Sequence, residues 1–251
     1  MEFAGDKKEL VHFLVPYEKK FIAAALPHVP LPIGTVQLTL MTILWSVGII
    51  FAGYRAQADM SWLWMFSGCI FLQYVTDMLD GAVGRSRNTG LIKWGFYMDH
   101  FLDYVFLSSI VIGYSFLLPV SYSLLSMLCL MLSAGFMVHT IMDFSITNHF
   151  KISFSYFGVS EARMLLIVFN TILIVTGPGL LLHTFPFFVG ALFIALGVTV
   201  YRSQITYAHL DAVHQSMESM NTSPKLETKA LTMKEGSKEA FNRIDRRLKV
   251  R

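Results

Sequence analysis

Charge is what this 251-residue sequence has least of: Asp, Glu, Lys and Arg together make up 15% of it, where a water-soluble domain carries roughly a quarter. With 54% hydrophobic and 14% aromatic residues, too little polar surface remains to coat a soluble core, so the chain is a membrane protein. Cysteine is nearly absent as well. Cys69 and Cys129 both fall inside apolar runs with no His or Cys at ligand spacing, which excludes a zinc site and a disulfide framework and leaves them as packing residues. The formal charge of +3 is too small to mark a nucleic-acid partner, and none is expected. The first 30 residues are charged and lack an apolar h-region, so no cleavable signal peptide is expected and the first span acts as its own insertion signal. No internal repeat or low-complexity tract stands out.

What is present is a set of apolar runs of about 20 residues, the length that crosses roughly 30 Å of hydrocarbon. Six occur, near 34–54, 60–82, 95–118, 121–143, 162–183 and 185–207. The last two are separated by little more than the Gly177-Pro178-Gly179 break and a turn from His183 to Pro186. The expected fold is an all-α integral membrane protein with six transmembrane helices spanning 34–207. A segment over 1–33 precedes them and a basic, mobile tail over 208–251 follows, with helix expected near Lys238 to Leu248. Within 1–33, Tyr17 to His28 mixes Lys19 and Lys20 with Phe21, Ile22 and Leu26, the pattern of a helix lying in the headgroup region. Basic residues then set the orientation. Lys7, Lys8, Lys19 and Lys20 precede the first span; Arg85, Arg87 and Lys93 fill the second connection; Lys151 lies in the fourth; Arg202 and the tail follow the sixth. The connections around Asp59, Pro119 and Phe185 carry almost none, so the termini are expected in the cytoplasm.

Against this scarcity of charge, four aspartates fall within 27 residues: Asp77 and Asp80 close the second run, and Asp99 and Asp103 open the third. Ionised carboxylates at a bilayer edge are costly unless a cation binds them, and by the basic-residue pattern this edge is also cytoplasmic. On a helix, residues three and four apart share a face. Asp77, Asp80, Gly81 and Gly84 therefore form one stripe with Arg85 beside it, and Gly95, Asp99 and Asp103 form another. Glycine costs helix stability, and its place on both acidic stripes suggests that a bulky group such as a nucleotide approaches the backbone there. Four close carboxylates raise one another's pKa unless one or two divalent ions compensate them. An oxygen-only ligand set favours Mg²⁺ or Mn²⁺ over zinc, and two ions about 4 Å apart brace both sides of an in-line displacement at phosphorus.

The stretch Asp77-Met78-Leu79-Asp80-Gly81-Ala82-Val83-Gly84-Arg85, followed by Gly95-Phe96-Tyr97-Met98-Asp99-His100-Phe101-Leu102-Asp103, resembles the signature of the CDP-alcohol phosphatidyltransferases, D-x2-D-G-x2-A-R-x8-G-x3-D-x3-D. Gly84 stands where the signature has alanine, and nine residues rather than eight separate Arg85 from Gly95. The resemblance implies a phosphotransferase of phospholipid synthesis that moves a phosphoryl-alcohol group from a CDP-alcohol to an acceptor hydroxyl and releases CMP. It implies Asp77, Asp80, Asp99 and Asp103 as metal ligands, Asp103 also as the base for the attacking hydroxyl, and Gly81, Gly84, Arg85 and Gly95 beside the cytidine nucleotide. The donor would be CDP-diacylglycerol, CDP-choline or CDP-ethanolamine, with an alcohol or diacylglycerol as acceptor. The Asp99-His100 pair and Glu161 lean toward the choline and ethanolamine branch. A homodimer is compatible with the resemblance.

His100 is a second candidate for the base, against a locally satisfied structural histidine. Glu161 and Arg163 open the fifth span, where they either line the acceptor pocket or pair at the headgroups; His139 and Asp143 read as packing or snorkelling groups. Two other functions compete. A divalent-cation carrier or channel also needs acidic residues in its spans, but no carboxylate here lies at mid-membrane. An intramembrane prenyltransferase also binds diphosphate through Mg²⁺, but its two acidic motifs lie far apart in a longer chain.

Overall fold

The computed structural model describes residues 14–147 and 158–221. Helix makes up 89% of them, and no strand occurs among the described residues. The described residues form seven α-helices in order: α1 (Val15–Ala25), α2 (Thr35–Ala56), α3 (Leu63–Ser86), α4 (Ile92–Ser115), α5 (Ser123–Thr147), α6 (Val159–Thr176) and α7 (Gly179–Asn221). Two compact units divide the chain after Val198; in the second, the described residues are helical through Asn221. Lys7, Lys8, Lys151 and the tail beyond residue 221, including Lys238 to Leu248, lie outside the described residues.

Local chemistry sets where the helices begin and end. Gln37 Oε1 takes the Gly34 N–H at 3.0 Å at the start of α2, and Glu161 Oε2 takes the Gly158 N–H at 2.9 Å at the start of α6. Each satisfies a backbone donor that has no helical partner. Before α3, Asp59 accepts from Ser61 Oγ at 2.6 Å and from Ser61 N at 2.9 Å. These bonds, the side-chain one first, hold the Asp59 carboxyl below its usual range. The α6 to α7 boundary falls at Gly177, whose φ of 81° suits glycine, followed by Pro178. The expected turn from His183 to Pro186 is absent: Pro186 lies inside α7. Proline has no N–H, so the Leu182 carbonyl one turn earlier loses its helical donor, and the Tyr122 hydroxyl donates to it instead at 3.3 Å.

α2 packs closely on two partners. A Cβ at Gly53 would run into the backbone of Gly113, so α2 and α4 meet backbone to backbone. A Cβ at Gly84 would lie 2.7 Å from Thr35 Oγ1, so α3 meets the start of α2 equally closely. The core between these helices is built of Ile49, Phe66, Ile70, Phe106 and Leu173. One polar chain crosses it: Tyr114 O–H donates to Asn170 Oδ1 at 2.6 Å, and Asn170 Nδ2 donates to Ser67 Oγ at 3.0 Å, joining α4, α6 and α3. Such pairing is required where no water can satisfy a buried amide.

Among the described residues, four helical stretches are long and apolar enough to cross a membrane: Thr35–Ala56, Val120–Ile146, Val159–Thr176 and Gly179–Met217. α3 and α4 fall short of that apolarity, since each carries two of the aspartates. The outer faces carry exposed Leu44, Val47, Phe71, Met131, Val175 and Phe187. That much exposed apolar surface fits lipid as the solvent. α1 is a real helix, followed by a 3-10 turn over Leu26–His28. Both free cysteines are buried.

Candidate active site

Thr35 and Thr39 at the start of α2 bond Asp80 near the end of α3, and Arg163 at the start of α6 pairs with Asp77 of α3 and Asp103 of α4, so these helix ends lie together. The short α3 to α4 connection, with Asn88 at φ 48° and Gly90 at φ 68°, turns the chain back so that the two acidic stripes face each other. Carboxylate oxygens of Asp77, Asp99 and Asp103 lie within 4.8 Å of one another, each on a half-buried side chain. At that separation and an effective dielectric near 20, two like unit charges repel by about 3–4 kcal/mol. Three ionised carboxylates therefore need a cation. The donor set, all oxygen and all anionic, fits a hard divalent ion such as Mg²⁺ or Mn²⁺.

Asp80 stands slightly apart from that trio. Thr39 Oγ1 donates to its Oδ2 at 2.7 Å, and Thr35 Oγ1 donates to its backbone carbonyl. It still lies near enough to Asp77 and Asp99 for their charges to repel it. α2 thus supplies two hydroxyls that hold the fourth aspartate, a contribution the acidic motif does not announce.

A cation is already built into the cluster. Arg163, at the start of α6, is 6% exposed; its Nη1 lies 3.0 Å from Asp77 Oδ2 and its Nη2 3.6 Å from Asp103 Oδ1. The guanidinium sits 5.8 Å from the ring centroids of both Tyr74 and Phe106, and its Nε has no hydrogen-bond partner. The Tyr74 hydroxyl donates to Glu18 Oε1 of α1 at 2.7 Å. Glu161 accepts the Leu14 N–H at 3.1 Å in addition to the Gly158 N–H, so α1 is fastened at this end of the bundle through both α3 and α6. The sequence brought Glu161 and Arg163 to this level; it did not show that Arg163 pairs with residues 86 and 60 positions earlier.

The remaining expected residues sort as follows. His100 is buried, with Nδ1 2.7 Å from the Phe96 carbonyl oxygen and its ring packed on Phe96, and the acidic trio does not include it. Arg85 is exposed and folds its guanidinium over Gly81. Gly95 faces open space, while the missing side chain of Gly84 is explained by Thr35. Arg87 is held by protein rather than facing solvent alone: it donates to the carbonyls of Val29, Pro30, Leu31 and Ile33 at 2.8–3.3 Å, pinning the proline-rich connection before α2. His139 and Asp143 lie on α5 outside the acidic trio.

No curated protein matches the chain. A family model described as CDP-alcohol phosphatidyltransferase matches residues 35–214, a stretch that contains the acidic trio, Asp80 and Arg163. The chain therefore belongs to the CDP-alcohol phosphatidyltransferase family.

Proposed function

We propose that this protein is a membrane phosphotransferase of phospholipid synthesis, which transfers a phosphoryl-alcohol group from a CDP-alcohol to an acceptor hydroxyl with release of CMP. The observation that carries the reading is the convergence of Asp77, Asp99 and Asp103, from two facing helices, within 4.8 Å. Family membership supplies the reaction class. In this reading Asp77, Asp80, Asp99 and Asp103 hold Mg²⁺ or Mn²⁺, as one or two ions. When bound, the metal neutralises the diphosphate and stabilises charge developing at phosphorus.

The chain's own groups do the rest. Asp103 takes the proton of the acceptor hydroxyl as its oxygen attacks the phosphorus of the alcohol phosphate; the phosphoanhydride bond breaks and its electrons leave on CMP. Asp103 is preferred over His100 because it belongs to the trio, whereas His100 Nδ1 is engaged with the Phe96 carbonyl. In this reading Arg85, whose guanidinium lies over Gly81, meets nucleotide phosphate oxygens, with Gly81, Gly84 and Gly95 as the other nucleotide-side residues.

The proposed topology has six spans over 34–207, with α3 and α4 crossing alongside the four apolar ones, their aspartates at the cytoplasmic edge, and 208–251 as a cytoplasmic tail. Helix α1 lies in the headgroup layer within the 1–33 segment. In support, the acidic end of the bundle is the end that carries Arg85, Arg87 and Lys93. Between the candidate donors, the Asp99-His100 pair favours CDP-choline or CDP-ethanolamine with diacylglycerol over CDP-diacylglycerol with an alcohol. A homodimer fits the family reading.

The test is CMP release by the detergent-purified protein with Mg²⁺ or Mn²⁺. CDP-diacylglycerol is offered with a panel of alcohols, and CDP-choline or CDP-ethanolamine with diacylglycerol. Turnover is expected with one donor class; no CMP from any pairing overturns the proposal.

A further inference from the structure

Asp77, Asp99 and Asp103 carry three negative charges when ionised, and Arg163 contributes one positive charge against them. One positive charge offsets only part of the trio's, and Asp80 stands close by, so the cluster stays net negative. The guanidinium reaches Oδ2 of Asp77 at 3.0 Å and Oδ1 of Asp103 at 3.6 Å, so it bridges one carboxylate from each of the two facing helices. It is held in that place by more than the carboxylates. Tyr74 and Phe106 rings flank it, the Tyr74 hydroxyl is fixed by Glu18, and burial leaves the arginine little contact with water. A buried guanidinium with an unpartnered Nε is costly unless its charge is matched, and among the described residues the carboxylates in contact with it are those of Asp77 and Asp103 in the acidic cluster.

From this geometry we infer that Arg163 is the charge-setting positioning residue of the metal site: it keeps the metal-free carboxylates together and lowers the affinity of the cluster for divalent ions. It acts through the aspartates and touches no reacting atom. Two consequences follow from Coulomb's law. A fixed positive charge in contact with the ligand carboxylates would oppose the binding of a divalent ion to them, so the wild-type site would hold its metal loosely enough for exchange. Without that charge, the carboxylates repel one another in the metal-free protein and gain more from an ion when one arrives.

The inference rests on the reading that these aspartates bind metal, and the test separates the two. Purified wild type, Arg163→Gln and Arg163→Lys are titrated with Mn²⁺ alone, reading free Mn²⁺ by electron paramagnetic resonance, and each is melted in chelator and in saturating Mg²⁺. The expected result is Mn²⁺ binding about tenfold or more tighter in Arg163→Gln. Arg163→Lys, which keeps the charge but loses the two-pronged contact, stays within about threefold of wild type. Arg163→Gln also gains a larger rise in melting temperature from Mg²⁺ than wild type does. Tighter binding cannot arise from structural damage, which only loosens a site. If Arg163→Gln folds only when Mg²⁺ is supplied, the inference is equally supported.

Unchanged or weaker Mn²⁺ binding in Arg163→Gln overturns it, as does a loss in Arg163→Lys of more than about tenfold, the mark of a residue that orients ligands. Arg163→Gln that stays unfolded with saturating Mg²⁺ also overturns it. Wild type that binds no Mn²⁺ overturns the metal reading itself.

Discussion

The charge density of the acidic end depends on a few side chains, and each makes a separable contribution. Asp99 has the cleanest assignment: it belongs to the trio but is not one of the two carboxylates bridged by Arg163. Asp99→Asn should still give a folded protein and lower CMP formation by at least about a hundredfold, the upper range seen when even a supporting group of a metal site is lost. Turnover close to wild type would remove Asp99 from the site. The aspartates were legible because helical spacing alone places them on two stripes, and the motif is dense in a sequence poor in charge. Arg163 was not, because nothing local ties it to Asp77, 86 positions away. Thr39 was hidden for the same reason: a threonine in an apolar run reads as a tolerated polar residue until the helix beside it is known.

Among the helices, packing is set by places where a side chain is missing. Gly84 faces Thr35, so Gly84→Ala places a methyl 2.7 Å from a hydroxyl oxygen, and either Thr35 turns away from the Asp80 carbonyl or α2 shifts from α3. The expected cost is about 1–3 kcal/mol of stability, in the range of overpacked cores, with Thr35→Ala in the same chain recovering part of it. A melting-temperature cycle over the four variants checks this, and additive effects would deny the contact. Because Thr35 and Thr39 hold Asp80, either adjustment should also reduce activity. The sequence reading assigned this glycine to nucleotide approach; the structure gives it a packing reason first, since the motif glycine and the α2 threonine are far apart in the chain.

The second element-scale prediction concerns Pro186. If the Tyr122 hydroxyl replaces the missing helical donor to Leu182, Tyr122→Phe should destabilise wild type by about 0.5–1.5 kcal/mol. It should do little in Pro186→Ala, where the restored N–H reaches the same carbonyl. Equal losses in both backgrounds would deny the pairing. Proline was expected to break the chain here, and it does not, because another element satisfies the exposed carbonyl. Gly177 marks the true boundary through its positive φ, a conformation that the sequence only hints at through the Gly-Pro-Gly string.

For the whole molecule, the all-helical class and the positions of the main helices were legible from apolar run length. Four stretches stand out by apolarity alone; α3 and α4 do not, because the aspartates that make the site also dilute their apolar character. The proposed topology puts the α3 to α4 turn and the α4 to α5 turn on opposite sides of the membrane. With Cys69 and Cys129 buried, single cysteines introduced at Thr89 and Val120, both exposed, can report this. In sealed, oriented vesicles a membrane-impermeant thiol reagent should label the Thr89 site only from the cytoplasmic face and the Val120 site only from the other. Labelling of both from one side would refute six spans.

The claim on which the rest depends is that facing acidic stripes of α3 and α4 share a divalent ion. Anomalous diffraction at the manganese edge, from crystals of the protein grown with Mn²⁺, locates such an ion without assumptions about turnover. A peak bounded by carboxylate oxygens of Asp77, Asp99 and Asp103, at about 2.0–2.3 Å from its ligands, is the predicted result. Saturating Mn²⁺ with no peak between these side chains would contradict the account.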